Sequence, residues 1–210
     1  MGALRGIAPA LVAELPRWPA LATLTGVVGH RASLDFLWDE VLQGLPADRR
    51  RLLAAAALFG QIDDELVAAL GASAAAAELV DGVPLVEANG DGSFHLHDLW
   101  AEALQTVLEP GERTEALRAG GSMLLERGEL VRAAEAYGLA GDDDGMARVI
   151  LAFARQPTGN ADINEINRLH ALLPEALQRR PGARYLQAAR YYATDDRQAA
   201  RLFEQAAAEA

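Results

Sequence analysis

Apolar residues recur every three or four positions along most of the chain, which is the spacing of helices that bury one face. Over residues 34–43 the pattern predicts a single buried stripe, made of Leu34, Leu37, Trp38, Val41 and Leu42. Ser33 is the predicted N-cap of this helix, and Gly44 ends it. An earlier segment, 8–28, also has helical character, but Pro16 and Pro19 interrupt it.

Three more helices are predicted before residue 81. The first begins at Pro46 and runs to Gly60 through an alanine-rich stretch. Asp63 is the predicted N-cap of a short second helix ending near Gly71, and Ser73 that of a third ending near Val80.

Alternation with a period of two replaces the helical spacing at residues 84–97. Two alternating segments, 84–88 and 93–97, flank the sequence Asn-Gly-Asp-Gly, whose residues tolerate positive φ. This arrangement predicts a β-hairpin. Asp98 is the predicted N-cap of a helix that follows and that Pro110 ends. Helices, a two-stranded wing and a closing helix together predict a winged-helix domain.

Paired amphipathic helices follow from about residue 112. One helix is predicted over 112–127 and another over 129–140, ended by Gly128 and Gly141. The predicted inner face of the second helix consists of Leu130, Ala133, Ala134, Tyr137 and Ala140. The pattern of the last four residues recurs 66 residues later, in Ala199, Ala200, Phe203 and Ala206.

Sixty-six residues are two periods of the length used by tetratricopeptide (TPR) helix pairs, although the intermediate copy near Ile166 and His170 is degenerate. The predicted fold class is therefore mainly α: a winged-helix domain with one small β-hairpin, followed by TPR-like antiparallel helical repeats.

Composition narrows the possible functions. The chain has no cysteine, all 19 basic residues are arginine, and the net charge is −11. Disulfides, thiolate nucleophiles and cysteine-bound zinc are therefore excluded. No apolar run has the length of a membrane span, and Glu14, Pro16 and Arg17 interrupt any signal-peptide core. We expect a cytoplasmic protein, with Trp18, Trp38 and Trp100 as core anchors.

Catalytic and metal-binding motifs are scarce. His95 and His97 stand two apart on a predicted strand, so they could share a metal with Asp98, although ordinary hydrogen bonds in the wing are the simpler interpretation. A phosphate-binding loop of the Walker type requires a lysine, and the chain has none, so this loop is excluded. The GxSxG motif of serine nucleophiles is also missing from the sequence. The carboxylates at 142–144 suit a solvated helix start. We expect neither an enzyme nor a metal site.

A winged helix raises the possibility of DNA binding. Its predicted recognition helix, residues 73–80, reads SAAAAELV and carries no arginine, asparagine or glutamine. The wing tip is acidic as well. Base reading needs donors on that helix and phosphate anchoring needs cations, so a packing or switching role is favoured over DNA reading.

Four segments, in order, resemble one protein family. FHLHDLWAEAL (94–104) resembles the MHD segment of signal-transducing STAND ATPases. LPRWPALATL (15–24), the stretch 33–59 and LLERGELVRAAEAYGLAGD (124–142) resemble segments of the maltose-regulator-like group, which are large LuxR-type bacterial transcriptional regulators.

The resemblance implies an order of domains and a ligand. Residues 1–30 would end an ATPase-associated helical region, 31–110 would form the winged helix, and 111–210 would begin a TPR-like sensor. The chain would then be a middle piece, lacking the ATP-binding module before it and the DNA-binding domain after it. In this family the MHD-type histidine contacts the β-phosphate of ADP. His97 matches that position, and Asp98 follows it.

These implications give a leading hypothesis and two alternatives. The chain would relay ATP or ADP state from its own ATPase module and sense an inducer or protein partner, without binding nucleotide, nucleic acid or membrane itself. Alternatively it is a stand-alone helical-repeat adaptor that binds a protein. A DNA-binding winged-helix repressor is disfavoured by charge.

Overall fold

A computed structural model describes residues 41–104, 106–155, 162–178, 181–192 and 196–208. The chain divides into two compact units between Pro110 and Gly111. The predictions for the interrupted helix 8–28, for Ser33 and the helix up to residue 40, and for Trp18 and Trp38 lie outside the described residues.

The first unit contains four helices and a small sheet in the described part of the chain. The elements are α1 (Ala47–Ala57), β1 (Gln61–Ile62), α2 (Asp64–Ala69), α3 (Ala76–Val80), β2 (Val86–Ala88), β3 (Phe94–Leu96) and α4 (Asp98–Ala103). Helix α1 packs against α2, α3, α4 and β1. Its buried surface is mostly alanine, which allows close approach of these neighbours.

Helix α1 begins after Pro46, as predicted, and two of its arginines donate hydrogen bonds to backbone carbonyl groups of the same unit. Arg49 donates from Nε to the carbonyl oxygen of Leu79 at 3.1 Å, and from Nη2 to that of Asp81. Arg50 donates to the carbonyl oxygen of Leu42 at 3.0 Å. Two of the three cations in residues 41–110 therefore bind backbone carbonyls inside this unit.

The predicted caps of the two short helices fare differently. Asp63 caps α2 as expected, because its carboxylate accepts a hydrogen bond of 2.8 Å from the N–H of Leu66. The prediction that Ser73 caps the next helix is wrong, since α3 begins at Ala76 after Ala75. The acceptor there is the Asp64 carboxylate, 2.7 Å from the N–H of Ala76. A cap from another helix leaves no local sequence signal.

The predicted hairpin forms, and a third strand joins it. Strand β3 lies between β1 and β2, antiparallel to both, with His95 opposite Gln61 on one side and Glu87 on the other. The sheet therefore has three strands where the sequence predicted two. Strand β1 has only two residues, which is too short for alternation to be visible.

The wing turn is organised around Ser93, which is buried. Its N–H and hydroxyl both donate to the Asp91 carboxylate, at 3.0 and 2.7 Å. The side-chain amides of Asn89 and Gln61 donate to the Ser93 hydroxyl oxygen, at 2.9 and 2.8 Å. These hydrogen bonds from Ser93 lower the pKa of Asp91, so the wing tip stays negatively charged.

The second unit is a stack of helices. Its described elements are α5 (Pro110–Glu126), α6 (Leu130–Ala140), α7 (Asp143–Ala154), α8 (Ile163–Leu172), α9 (Glu175–Gln178), α10 (Pro181–Tyr192) and α11 (Asp196–Ala208). Helix α6 packs against α7 and α8, α10 packs against α7 and α8, and α11 packs along α10. Asp142 caps α7 through the N–H of Gly145, so the carboxylates at 142–144 do lie at a solvated helix start.

The inner face of α6 is buried largely as predicted. Leu130, Ala133, Ala134 and Tyr137 are buried, while Ala140 is half-buried. Among the residues that repeat this pattern, Ala199 and Ala206 are buried, Phe203 is half-buried and Ala200 is exposed. The TPR-like interpretation of this unit remains a prediction, as do the domain boundaries given above.

Aromatic side chains connect three helices of this unit. The ring of Tyr185 on α10 makes edge contacts with Phe153 on α7 and with Phe203 on α11, with centroid separations of 6.2 and 5.2 Å. No helix among the described residues is both long and apolar enough to cross a membrane.

Candidate functional site

His97 lies between the wing and the last helix of the first unit, and it is half-buried. It is the N-cap of α4, because its Nδ1 accepts a hydrogen bond of 3.3 Å from the N–H of Leu99. The prediction that Asp98 caps this helix is wrong by one residue. Since Nδ1 accepts, the proton of the neutral ring is on Nε2.

Two neighbouring segments fix the backbone at His97. The His97 N–H donates to the carbonyl oxygen of Leu85 at 3.1 Å, and the Trp100 N–H donates to the carbonyl oxygen of His97 at 2.8 Å. The indole Nε1–H of Trp100 donates to the carbonyl oxygen of Pro84 at 2.8 Å. Trp100 is fully buried, so the prediction of a core anchor is confirmed.

Asp98 is the first residue of α4, and it is exposed. A carboxylate in the first turn of a helix is stabilised by the unpaired backbone N–H groups there. The structure therefore brings His97 and Asp98 together by sequence adjacency, with the ring rather than the carboxylate making the cap.

His95 and His97 occupy different environments. It lies on β3 and is exposed, whereas His97 has left the strand. Within the described ranges, no group of three or more histidine, cysteine, aspartate or glutamate side chains is arranged to hold a metal ion.

The face that a DNA-binding winged helix would present is short of cations. Helix α3 exposes Ala77 and Glu78, and its other residues are buried. Residues 41–110 contain three arginines against eleven carboxylates, and the wing tip carries Asp91. Such a surface repels phosphates, since DNA binding depends on neutralising them.

The order of elements, helix–strand–helix–helix followed by a two-stranded wing, defines the domain type. Residues 38–117 match the family model of the MalT winged helix domain. This part of the chain is a winged-helix domain, and the match supports the maltose-regulator-like resemblance. No curated protein and no solved structure matches the chain.

The match covers fewer than half of the residues, so it identifies a domain. A MalT winged helix domain fits a fragment of a transcriptional regulator of the MalT type. His97, Asp98 and the residues that support them lie inside the matched region. Sequence reasoning missed the contact of Leu85 with His97 and that of Pro84 with Trp100. Their contribution is made by backbone carbonyls, which any residue type carries.

Proposed function

We propose that this chain is the regulatory part of an ATP-dependent bacterial transcriptional regulator. Its winged helix would relay the nucleotide state of an ATPase module, and its helical unit would sense an inducer or a protein partner. The observation that supports this most directly is the half-buried His97 ring, held at the end of the wing within the MalT winged-helix match.

The chemistry of the ring suits a phosphate. With Nδ1 occupied by the Leu99 N–H, the neutral ring has a donor at Nε2. The only hydrogen bond of the imidazole within the described chain is the one at Nδ1. A phosphate oxygen of ADP could accept from Nε2, and ADP would thereby tie the winged helix to the ATPase module. Ligand binding would then favour the closed, resting arrangement.

Asp98 would act differently from His97. A carboxylate repels a diphosphate, so direct contact between the two is unfavourable. Its exposed position in the first turn of α4 instead supports the helix whose N-cap is His97. We therefore assign Asp98 an indirect part in the site.

The other expectations follow from this assignment. ATP and ADP would bind the ATPase module, while residues 1–210 would bind neither nucleotide nor DNA alone and would catalyse nothing. DNA would be bound by a separate C-terminal domain. The protein would act in the cytoplasm. In the helical unit, the exposed Leu139 and Leu151 offer apolar surface that a partner could cover.

The test uses the full-length product of the gene. Protein purified without added nucleotide would be denatured, and the released ADP measured per protein chain. We expect His97→Ala to retain several-fold less ADP and to raise basal transcription of a reporter. His95→Ala, which removes an exposed ring two residues away, is the matched control and should behave as wild type.

Undiminished ADP in His97→Ala would overturn the phosphate-sensing role. A full-length protein that purifies without nucleotide, and that cannot be loaded with ADP, would instead support the adaptor alternative. The exposed Leu139 and Leu151 are the observation that favours this second candidate, since an adaptor needs a surface for its partner.

A further inference from the structure

Two residues that are neighbours in this fold, Leu85 and His97, occupy backbone positions that other residue types favour. Leu85 has φ of 58°, and it is the sole residue other than glycine with a positive φ in the described chain. Leucine at such a φ is disfavoured because its Cβ approaches the backbone. His97 is an N-cap, a position that favours Ser, Thr, Asp or Asn, although Asp98 stands one residue later.

One hydrogen bond joins these two exceptions. The carbonyl oxygen of Leu85 accepts from the N–H of His97 at 3.1 Å, so the unusual backbone of Leu85 aims an acceptor at the residue that caps α4. The side chains of Leu85 and Trp100 are both buried. Backbone strain of this kind persists only where the surroundings fix it, and it is concentrated at functional sites.

Trp100 supplies the second constraint. Its indole donates to Pro84, the residue before Leu85, and its backbone N–H donates to the carbonyl oxygen of His97. Two hydrogen bonds, of 2.8 and 3.1 Å, therefore hold segment 84–85 to segment 97–100, and a third, of 2.8 Å, lies within segment 97–100. The imidazole cannot turn away without breaking its bond to Leu99.

We propose that Leu85 and Trp100 are positioning residues that hold His97 as the Nε2–H tautomer. A ring fixed in this way offers a hydrogen-bond donor and no acceptor at its outer nitrogen. It therefore favours a ligand group that accepts hydrogen bonds, such as a phosphoryl oxygen of a nucleoside diphosphate, and disfavours groups that only donate, such as ammonium groups, at the same place. This inference rests on the proposed function for the identity of the ligand.

The experiment uses the 210-residue chain with ¹⁵N-labelled histidine. Long-range ¹H–¹⁵N correlation spectra at about pH 8.5, well above the ordinary histidine pKa, report the tautomer of each ring. We expect His97 to show a protonated Nε2 and an unprotonated Nδ1 with no averaging. The exposed His95 serves as an internal reference and should show the averaged shifts of free histidine.

Variants separate positioning from simple structural support. Trp100→Phe keeps an aromatic ring but loses the donor to Pro84, and it should move the His97 shifts toward those of His95. Leu85→Val should do the same, because a β-branched residue is strongly disfavoured at positive φ. Leu85→Met keeps a similar volume at that φ and should leave the His97 spectrum unchanged.

Averaged shifts for His97 in the unsubstituted chain would overturn the proposal. An unchanged His97 spectrum in both Trp100→Phe and Leu85→Val would overturn the positioning roles. If one of these two variants fails to fold, the other decides the matter. The result is independent of ADP: a fixed tautomer combined with undiminished ADP in His97→Ala would remove the proposed function and leave the positioning intact.

Discussion

The carboxylate of Asp64 accepts a hydrogen bond of 2.7 Å from the backbone N–H of Ala76, twelve residues later in the chain. The first residue of helix α2 therefore supplies the acceptor at the N-terminus of helix α3. We expect Asp64→Ala to lower the free energy of unfolding by about 1 kcal/mol, the usual cost of losing a cap. Urea unfolding followed by circular dichroism measures this.

Asp64→Asn is the matched control for that substitution, because the amide oxygen still accepts while the charge is lost. It should retain most of the stability. Equal losses in Asp64→Ala and Asp64→Asn would show that charge, and not the cap, is responsible.

Tyr137 occupies the space that side chains at two glycines would need. A Cβ added at Gly145 would overlap Cδ1 of the Tyr137 ring, and one at Gly121 would lie 3.1 Å from Cε1 of the same ring. We expect Gly145→Ala to destabilise the second unit by about 1–3 kcal/mol through overpacking, as measured by denaturant unfolding.

Gly138→Ala provides the contrast on a neighbouring helix. A Cβ at Gly138 meets only Cε of Met146, at 3.8 Å, which is ordinary contact. Replacing a glycine within a helix then stabilises by roughly 0.5–1 kcal/mol. The prediction is wrong if Gly145→Ala is as stable as Gly138→Ala.

Sequence patterns predicted the elements that depend on neighbours in the chain. Asp63 and Gly141 act as local helix signals, and both lie where the sequence placed them, Gly141 with φ of 62°. Strand β1 and the cap of α3 were missed because each depends on a partner distant in sequence: β3 for the strand, and Asp64 for the helix. Tertiary contacts of this kind have no periodic signature.

Some features of the candidate site could likewise be predicted from the sequence, and others could not. His97 was identified through the resemblance of residues 94–104 to the MHD segment, because its place at the end of an alternating segment indicates by itself only an ordinary hydrogen bond. Its cap bond could not be predicted, because histidine is an unusual N-cap and Asp98 is the better candidate by local preference. The left-handed Leu85 was equally hidden, since leucine carries no expectation of positive φ.

His170 links α8 to α10 through a contact with Arg190. Its Nδ1 lies 3.1 Å from Nη1 of Arg190, whose Nε donates to Asn167 at 2.9 Å. Burial, and then the positive charge of Arg190, lower the pKa of His170 below its ordinary value. An arginine can only donate, so Nδ1 must be unprotonated for this contact to form.

The sign of the effect on stability follows from that shift. The unfolded chain binds a proton at His170 more readily than the folded chain, so folding is favoured above the ordinary histidine pKa and disfavoured as the pH falls below it. As the pH falls below about 6.5, we expect the free energy of unfolding of the unsubstituted chain to decrease. The decrease should be smaller in His170→Gln, which has no imidazole to protonate.

Thermal unfolding at several pH values, compared between the two proteins, checks the difference attributable to this one ring. An NMR titration of His170 provides the direct measurement. Identical pH profiles, or a pKa of His170 at or above the ordinary value, would contradict the prediction.

The winged helix should not bind DNA by itself. Helix α3 exposes Glu78 and no cation, the wing tip holds the ionised Asp91, and Arg49 and Arg50 bind backbone carbonyls. We expect no sequence-specific complex in gel-shift titrations at low salt, the condition that most favours binding through phosphates.

Arg49→Gln distinguishes a structural arginine from a DNA-contacting one. Loss of its hydrogen bonds to the carbonyls of Leu79 and Asp81 should cost about 1 kcal/mol of stability, because these acceptors end helix α3. If the unsubstituted chain bound DNA specifically and Arg49→Gln abolished that binding without destabilising the domain, the arginine would belong to a nucleic-acid interface. The repressor alternative would then replace the switching role proposed for this winged helix.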